Sequence, residues 1–156
     1  MSKLTVTTPN DTTIKFERVF PAPRKKVFET YHDAEAMKQW YANPGYPVSE
    51  VETTFVVGGD LKIVWDQPDG GKMILRGKWL AYEPHATSTF TENWDEDWTG
   101  GEVVNENEFT DVDGGTLLTL VSTYKTKEGR DGAIEGGAAE GFGAALDALE
   151  AMVTTA

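Results

Sequence analysis

The sequence predicts an α+β domain in which a curved antiparallel sheet of six to seven strands wraps around a long C-terminal helix, with two short helices after the first strand. Strand-like segments run consecutively from Val48 to Tyr124, and their short connections favour antiparallel pairing. The length of 156 residues fits one domain, taken as residues 1–156. After the strands, apolar residues recur at the three- and four-residue spacing of an amphipathic helix: Ile134, Ala138, Phe142, Ala145, Leu146, Leu149, Met152 and Val153.

The N-terminal part predicts a strand followed by two short helices. Thr12–Phe20 alternates between apolar and polar residues, as a half-buried strand does. Pro23 suits the first turn of a helix, because its missing N–H has no partner there in any case. That helix is expected to end near His32, where a cation is favoured by the helix dipole. Asp33 then suits the N-cap of a second short helix that carries Trp40.

The central and C-terminal parts predict the sheet and the helix that it holds. The turn residues Pro68–Gly71 and Asp113–Gly115 are typical of hairpins. The last helix is expected to begin near Gly132 and to bury its apolar stripe in the concave face of the sheet. The predicted strand segments are Val51–Val57, Leu61–Trp65, Lys72–Glu83, Thr87–Trp94, Glu102–Thr110 and Thr116–Tyr124.

Composition excludes several classes of function. The chain has 26 acidic and 14 basic residues, a net charge of -12, whereas nucleic-acid binders need Lys and Arg to neutralise phosphates. The same balance opposes binding to an anionic membrane surface. Without cysteine, there is no disulfide, thiolate nucleophile or zinc–sulfur site. We therefore expect an acidic cytoplasmic protein whose partners are small molecules or other proteins, with no nucleic acid and no membrane.

Short motifs in a fixed order resemble a known superfamily over about residues 12–153. Together with the order of elements, they resemble the helix-grip fold (START-like, SRPBCC, Bet v 1-like), and within it the C-terminal domain of activators of the heat-shock protein 90 ATPase. The motifs that carry the resemblance are Phe20-Pro21-Ala22-Pro23 with Val27-Phe28 and Trp40, Phe55–Gly59, Asp69–Gly71, Arg76–Trp79, Tyr82–Pro84, Phe90-Thr91 with Trp94, Gly115-Thr116 with Leu118–Leu120, and Gly141-Phe142.

The resemblance implies a fold and a place for a site rather than one activity. The superfamily includes lipid carriers, hormone- and allergen-type ligand binders, aromatase/cyclases and cochaperone domains. In helix-grip proteins the usual pocket lies between the long helix and the sheet. Eukaryotic chaperone activators join this domain to a separate N-terminal domain that provides much of the stimulation, for which 156 residues leave no room. Chaperone activation is therefore an alternative expectation rather than the first one.

Glycines and aromatic residues supply most of the candidate site. Gly141 and its neighbouring glycines in the last helix either allow close approach of helix to sheet or leave volume for a ligand. Tryptophans suit the edge of a pocket or interface, and core packing is the alternative for several of them. The loop from Glu92 to Trp98 is a pocket lid, a docking surface or a solvated turn. The cavity candidates are Trp40, Trp65, Arg76, Trp79, Phe90, Glu92, Trp94, Tyr124, Gly141 and Phe142.

Charged residues leave further alternatives open. If Arg76 faces the concave side of the sheet, it needs a carboxylate such as Glu92 or Glu108; if it faces the convex side, it is an ordinary surface residue. The acidic loop lacks the spacing of a calcium site, and the two histidines lack the spacing of a zinc site or a catalytic triad. We expect no metal, no cofactor and no catalytic residue.

Three functions follow from these observations, in order of preference. The first is a binding domain for a small apolar or aromatic ligand in a cavity between the C-terminal helix and the sheet. The second is a cochaperone-like protein-interaction domain, which would present an exposed aromatic patch. The third is a cyclase- or hydrolase-type enzyme, which needs convergent titratable groups inside the cavity, such as Arg76 with Glu92 or Tyr124.

Overall fold

The computed structural model of the chain describes residues 4–43 and 45–154, and it confirms the predicted α+β class and the helix-grip arrangement. None of the helices in this part of the chain is both long and apolar enough to cross a membrane. The elements in chain order are β1 (Thr5–Thr7), β2 (Thr13–Phe20), α1 (Arg24–Tyr31), α2 (Ala34–Trp40), β3 (Val48–Thr53), β4 (Asp60–Asp66), β5 (Lys72–Glu83), β6 (Thr87–Trp94), β7 (Val103–Val112), β8 (Gly115–Thr123), α3 (Lys127–Glu135) and α4 (Ala138–Thr154).

The sheet is antiparallel throughout and has the order β1-β2-β8-β7-β6-β5-β4-β3 over the described residues. The strands from β3 to β8 are neighbours both in the chain and in the sheet, as their short connections predicted. The first long strand lies beside the last, with Phe16 opposite Leu120. The short strand β1 adds one member beyond the predicted six to seven, because Thr5–Thr7 has too few residues to show an alternating pattern.

The single long C-terminal helix that the sequence predicted is divided into two helices. Helix α3 begins earlier than expected, after Thr126, whose side-chain oxygen accepts a hydrogen bond from the Gly129 N–H. Gly136 ends it, and Gly137 has a φ of +92, a left-handed conformation that interrupts the helix and that glycine adopts without steric cost. Gly136 and Gly137, which the sequence analysis placed inside one long helix, therefore separate α3 from α4.

The short helices begin as the sequence predicted. Asp33 caps α2, since its side-chain oxygen accepts hydrogen bonds from the backbone N–H groups of Glu35 and Ala36. Pro23 immediately precedes α1, and His32 follows its last residue. These two helices pack with the C-terminal half of α4 over one end of the concave face.

The buried apolar residues form two clusters rather than one continuous core. The larger cluster joins α1, α2 and the second half of α4 to the sheet, with Trp40, Trp79 and Leu149 among its most buried members. The smaller one contains Phe16 and Leu120 and packs against Phe142 of α4. Because α4 has bulky residues mainly in its second half, the concave face beneath its first half is incompletely filled.

A buried ion pair, which the sequence analysis did not single out, fixes α4 to β2. Arg18 is 2% exposed and donates hydrogen bonds to Asp147 over 2.7 Å and to Glu150 over 3.0 Å. Its guanidinium also lies 5.5 Å from the centre of the Phe20 ring. Arg18 follows Phe16 on the inward face of β2, so the period-two pattern of that strand already placed its side chain in the core.

Candidate functional site

A cavity of about 470 Å³ lies between the sheet and the two C-terminal helices. Strands β2 and β4 to β8 supply its floor, and α3, α4 and the Gly136–Gly137 break supply its roof. A Cβ atom at Gly141 would have no heavy atom within 4 Å, so the missing side chain leaves open space there. Trp98 is 43% exposed and also lines the cavity, so the cavity reaches the surface beside the β6–β7 loop.

Most of the predicted site residues line this cavity, and three do not. Trp40 and Trp79 belong to the larger apolar cluster, as the alternative of core packing predicted. Arg76 points away from the concave face. The predicted residues that line the cavity are Trp65, Phe90, Glu92, Trp94, Tyr124, Gly141 and Phe142.

Arg76 takes the surface alternative that the sequence left open. Its side chain is 53% exposed and donates from Nε and Nη2 to the two carboxylate oxygens of Asp95, over 2.8 and 3.2 Å. The prediction of Arg76 as a cavity residue is therefore wrong, and the partners considered for a concave position, Glu92 and Glu108, do not apply. Successive residues of a strand point to opposite faces, and in β5 it is Leu75 that lines the cavity. The pairing raises the pKa of Arg76 and lowers that of Asp95, so both stay charged at the surface.

A chain of hydrogen bonds crosses the cavity floor from β8 to β6. The Ser122 hydroxyl donates to Asn105 Oδ1 over 2.6 Å, and Asn105 Nδ2 donates to Glu92 Oε1 over 3.0 Å. The indole N–H of Trp94 donates to the other oxygen, Glu92 Oε2, over 2.7 Å. Each of these groups lies in an inward position of its strand, so a polar row is built into the concave face.

Glu92 is the titratable group at the centre of this row. Burial raises its pKa, and the hydrogen bonds from Trp94 and Asn105 oppose that rise. The pKa values of Tyr41 and Tyr124, which also line the cavity, are raised first by burial and second by the negative charge of Glu92. The charge of Glu92 therefore acts on both tyrosines of the cavity lining.

A second buried chain of hydrogen bonds runs from α1 to the cavity wall. His32 Nδ1–H donates to the Phe28 carbonyl over 2.8 Å, so Nε2 accepts from the Ser88 hydroxyl, also over 2.8 Å. Asn107 Nδ2 donates to the Ser88 oxygen over 3.3 Å, and Asn107 Oδ1 accepts from the Tyr31 hydroxyl over 2.8 Å. Tyr41 lies next to Tyr31 and contributes to the rise of the Tyr31 pKa, which burial chiefly causes.

His32 is neutral, which corrects its predicted role as a cation at a helix end. Burial lowers the pKa of His32 to about 4, and the hydrogen bond to Phe28 only partly opposes this. Its ring stacks on Phe28 at a centroid distance of 4.0 Å, inside an aromatic cluster. The desolvation of the buried ring outweighs the favourable dipole of one helical turn.

We expect the protein to lose stability in acid through His32. The unfolded chain binds a proton near pH 6.5, whereas the folded chain binds it only near pH 4, so stability is complete above 6.5 and falls as the pH drops toward 4. At about 1.4 kcal/mol per pH unit, the loss across this window is roughly 3 kcal/mol. Urea denaturation at a series of pH values from 7 to 4 gives the free energy of unfolding at each pH. The prediction is that this free energy falls more steeply with decreasing pH in the unmodified protein than in His32→Asn.

His85→Asn is the matched control, because the His85 ring lies at the surface beside Glu29. Its pH profile is expected to follow that of the unmodified protein. A profile for His32→Asn as steep as that of the control would contradict the assignment of a neutral, buried His32.

The sequence analysis missed several residues of the site, and some carried a usable signal. Asn105 and Ser122 interrupt the apolar inward positions of β7 and β8, in phase with Phe109 and Leu120, so strict alternation already placed them inside. Tyr41 carried no such signal, since it follows α2 and only the packing of that helix brings its ring to Trp65.

A second depression of about 460 Å³ lies at the β3 edge of the sheet. It contains charged side chains, among them Glu52, Asp60 and Lys62, and its described lining has no aromatic ring. Apolar ligands prefer concave sites with aromatic walls. The cavity beneath α4 is therefore the stronger candidate site.

The chain matches the model of one known protein family. The family model described as "Activator of Hsp90 ATPase homolog 1-like protein" matches residues 21–154. No curated protein sequence matches the chain.

Solved structures share the fold over nearly the whole chain. A protein from Rhodobacter sphaeroides has 25% sequence identity and a TM-score of 0.90, covering 96% of this chain and 97% of that one. A protein from Mycobacterium smegmatis has 25% identity and a TM-score of 0.87, covering 97% and 98%. An AHSA1-like protein from Aeromonas hydrophila has 18% identity, a TM-score of 0.72 and coverage of 88% and 89%. The last likeness shows the fold alone.

Proposed function

This chain belongs to the Activator of Hsp90 ATPase homolog 1-like family, within the SRPBCC superfamily, and on that premise we propose that it is a binding domain for a small apolar or aromatic ligand. The observation that carries the proposal is the cavity of about 470 Å³ beneath α4, walled by the rings of Phe90, Trp94, Phe142 and their neighbours. Pockets for small ligands are typically concave and mostly apolar, with a few polar groups that orient the ligand.

The distribution of side-chain volume along α4 supports this proposal. Leu146, Leu149 and Val153 fill the space beneath the second half of the helix, whereas Gly141 and Ala145 face the cavity from the first half. A domain whose only task were to present a surface would gain stability by filling that volume, because buried voids forfeit packing contacts. The small residues therefore favour a ligand as the occupant.

A Gly141→Leu substitution is expected to abolish ligand binding and leave the fold intact. Leucine is a better helix former than glycine, and the space beside Gly141 is open. In the unmodified protein, a bound ligand at 100 times its Kd adds about 2.7 kcal/mol of stability, or roughly 5–10 °C in Tm at 2–4 °C per kcal/mol. Thermal-shift and tryptophan-fluorescence titrations against apolar, aromatic and fatty-acid ligands measure the effect.

Gly143→Ala is the matched control, since a Cβ there would meet the Leu4 side chain at an ordinary 3.6 Å and lie outside the cavity lining. It is expected to bind as the unmodified protein does. Equal ligand responses in Gly141→Leu and in the control would place the ligand elsewhere. No response to any ligand of the panel would contradict the proposal. Binding to partner proteins, beginning with the heat-shock protein 90 chaperone, would then be tested instead.

A further inference from the structure

The cavity contains a carboxylate that no positive charge of the protein compensates. Among the described residues that line the cavity there is no Lys, Arg or His, and Glu92 takes part in no ion pair within the described chain. Hydrogen bonds from Trp94 and Asn105 satisfy one site on each oxygen, and a carboxylate has about four in all. A buried carboxylate is costly unless it is both hydrogen-bonded and paired with a cation.

Aromatic rings surround this end of the cavity. The Trp65 and Trp94 rings lie 5.4 Å apart, the Trp94 and Trp98 rings 5.2 Å, and the Tyr41 and Trp65 rings 5.8 Å with perpendicular planes. All four line the cavity together with Glu92. The faces of aromatic rings attract cations, and Trp does so most strongly.

Three hydrogen-bond donors at this end of the cavity are already bonded within the protein: the indole N–H groups of Trp65 and Trp94 and the Ser122 hydroxyl. The indole N–H of Trp65 donates to the Tyr41 carbonyl over 2.9 Å, and that of Trp94 donates to Glu92. Asn105 donates to Glu92 and accepts from Ser122. Each oxygen of Glu92, by contrast, keeps a free acceptor site for a ligand.

From these three observations we propose that the ligand is a cationic amphiphile, an apolar or aromatic body with a protonated or quaternary amine, whose nitrogen lies beside Glu92 and the tryptophan rings. This inference rests on the proposed function of the cavity and adds the charge of the ligand to it. The amine supplies the positive charge that the lining lacks and donates to the free acceptor sites of Glu92.

The test compares three ligands with one body and different charge: phenylbutylamine as the cation, phenylbutanol as the neutral analogue and phenylbutyrate as the anion. Calorimetric titration at pH 7 is expected to show that the amine binds at least about tenfold more tightly than the alcohol, and the anion most weakly, because a charge-assisted hydrogen bond and a cation–π contact together exceed one decade in Kd. Glu92→Gln is expected to remove most of the preference for the amine while affinity for the alcohol stays.

Two further variants keep the inference testable if Glu92→Gln fails to fold. Trp98→Leu retains an apolar side chain at an exposed position and is expected to weaken the amine a few-fold more than the alcohol. Glu106→Gln makes the same change of charge at an exposed residue of β7 and is expected to change nothing.

Each outcome is decisive. Binding of the alcohol as tight as that of the amine, blocked by Gly141→Leu, overturns the cationic ligand and leaves the cavity-binding function standing. Tightest binding of phenylbutyrate likewise overturns the cationic ligand and leaves the cavity-binding function standing. Binding of none of the three overturns both.

Discussion

Replacing Arg18 with methionine should destabilise the protein by about 3–5 kcal/mol, because it leaves Glu150 buried without its cation. Single domains are typically stable by about 5–15 kcal/mol, so this one change removes a large fraction of the total. Asp147 contributes less to the effect, since its side chain is half exposed and screened by water. Urea denaturation followed by tryptophan fluorescence measures the loss as a shift of the midpoint at constant slope.

Arg76→Met is the matched control for this prediction. Arg76 likewise makes two charged hydrogen bonds, both to Asp95, but both partners are about half exposed. Exposed ion pairs contribute about 0–1 kcal/mol, so the control should be nearly as stable as the unmodified protein. Equal losses in the two variants would show that burial does not distinguish the two pairs.

A double variant separates the energy of the ion pair from the cost of breaking it. Arg18→Met combined with Glu150→Met removes both buried charges and replaces them with apolar side chains. Such replacements are often neutral or stabilising, so the double variant should recover most of the stability that Arg18→Met loses. A double variant as unstable as the single one would attribute the loss to packing around Phe20 instead.

Truncating Leu149 to alanine should cost about 2–5 kcal/mol, through lost burial and the void that remains. Leu149 is 0% exposed and lies where α4 meets the larger apolar cluster. The better helix propensity of alanine offsets only a few tenths of a kcal/mol. Denaturation by urea, analysed for midpoint and slope, gives the free energy of unfolding directly.

Leu80→Ala is the corresponding control, because Leu80 is 51% exposed on the outer side of β5. It should change stability by no more than about 0.5 kcal/mol. Since Leu149 lies outside the cavity lining, Leu149→Ala should also bind cavity ligands with unchanged affinity. A stability change at Leu80 as large as that at Leu149 would contradict the assigned position of the core.

Local sequence patterns determined the fold class, most element boundaries and much of the candidate site. Alternating polar and apolar residues and the turn residues that follow them predicted β5 and β6 with the observed ends. A strand with one exposed face shows this two-residue alternation directly in its sequence. The Asp33 cap was equally local, since capping depends on residues two and three positions away. The order of motifs indicated the family, and Trp94 belongs to one of those motifs, whereas Glu92 was named as a possible partner of Arg76.

What depends on distant parts of the chain was decided only by the tertiary structure. The face of Arg76 required knowing which side of β5 meets α4, and the neutral state of His32 required the rings that surround it. The division of the last helix depends on the backbone conformation of Gly137, which sequence spacing does not encode. The uncompensated Glu92 emerged only when β6, β7 and β8 were brought side by side, because a missing cation is a property of the whole cavity and of no single segment.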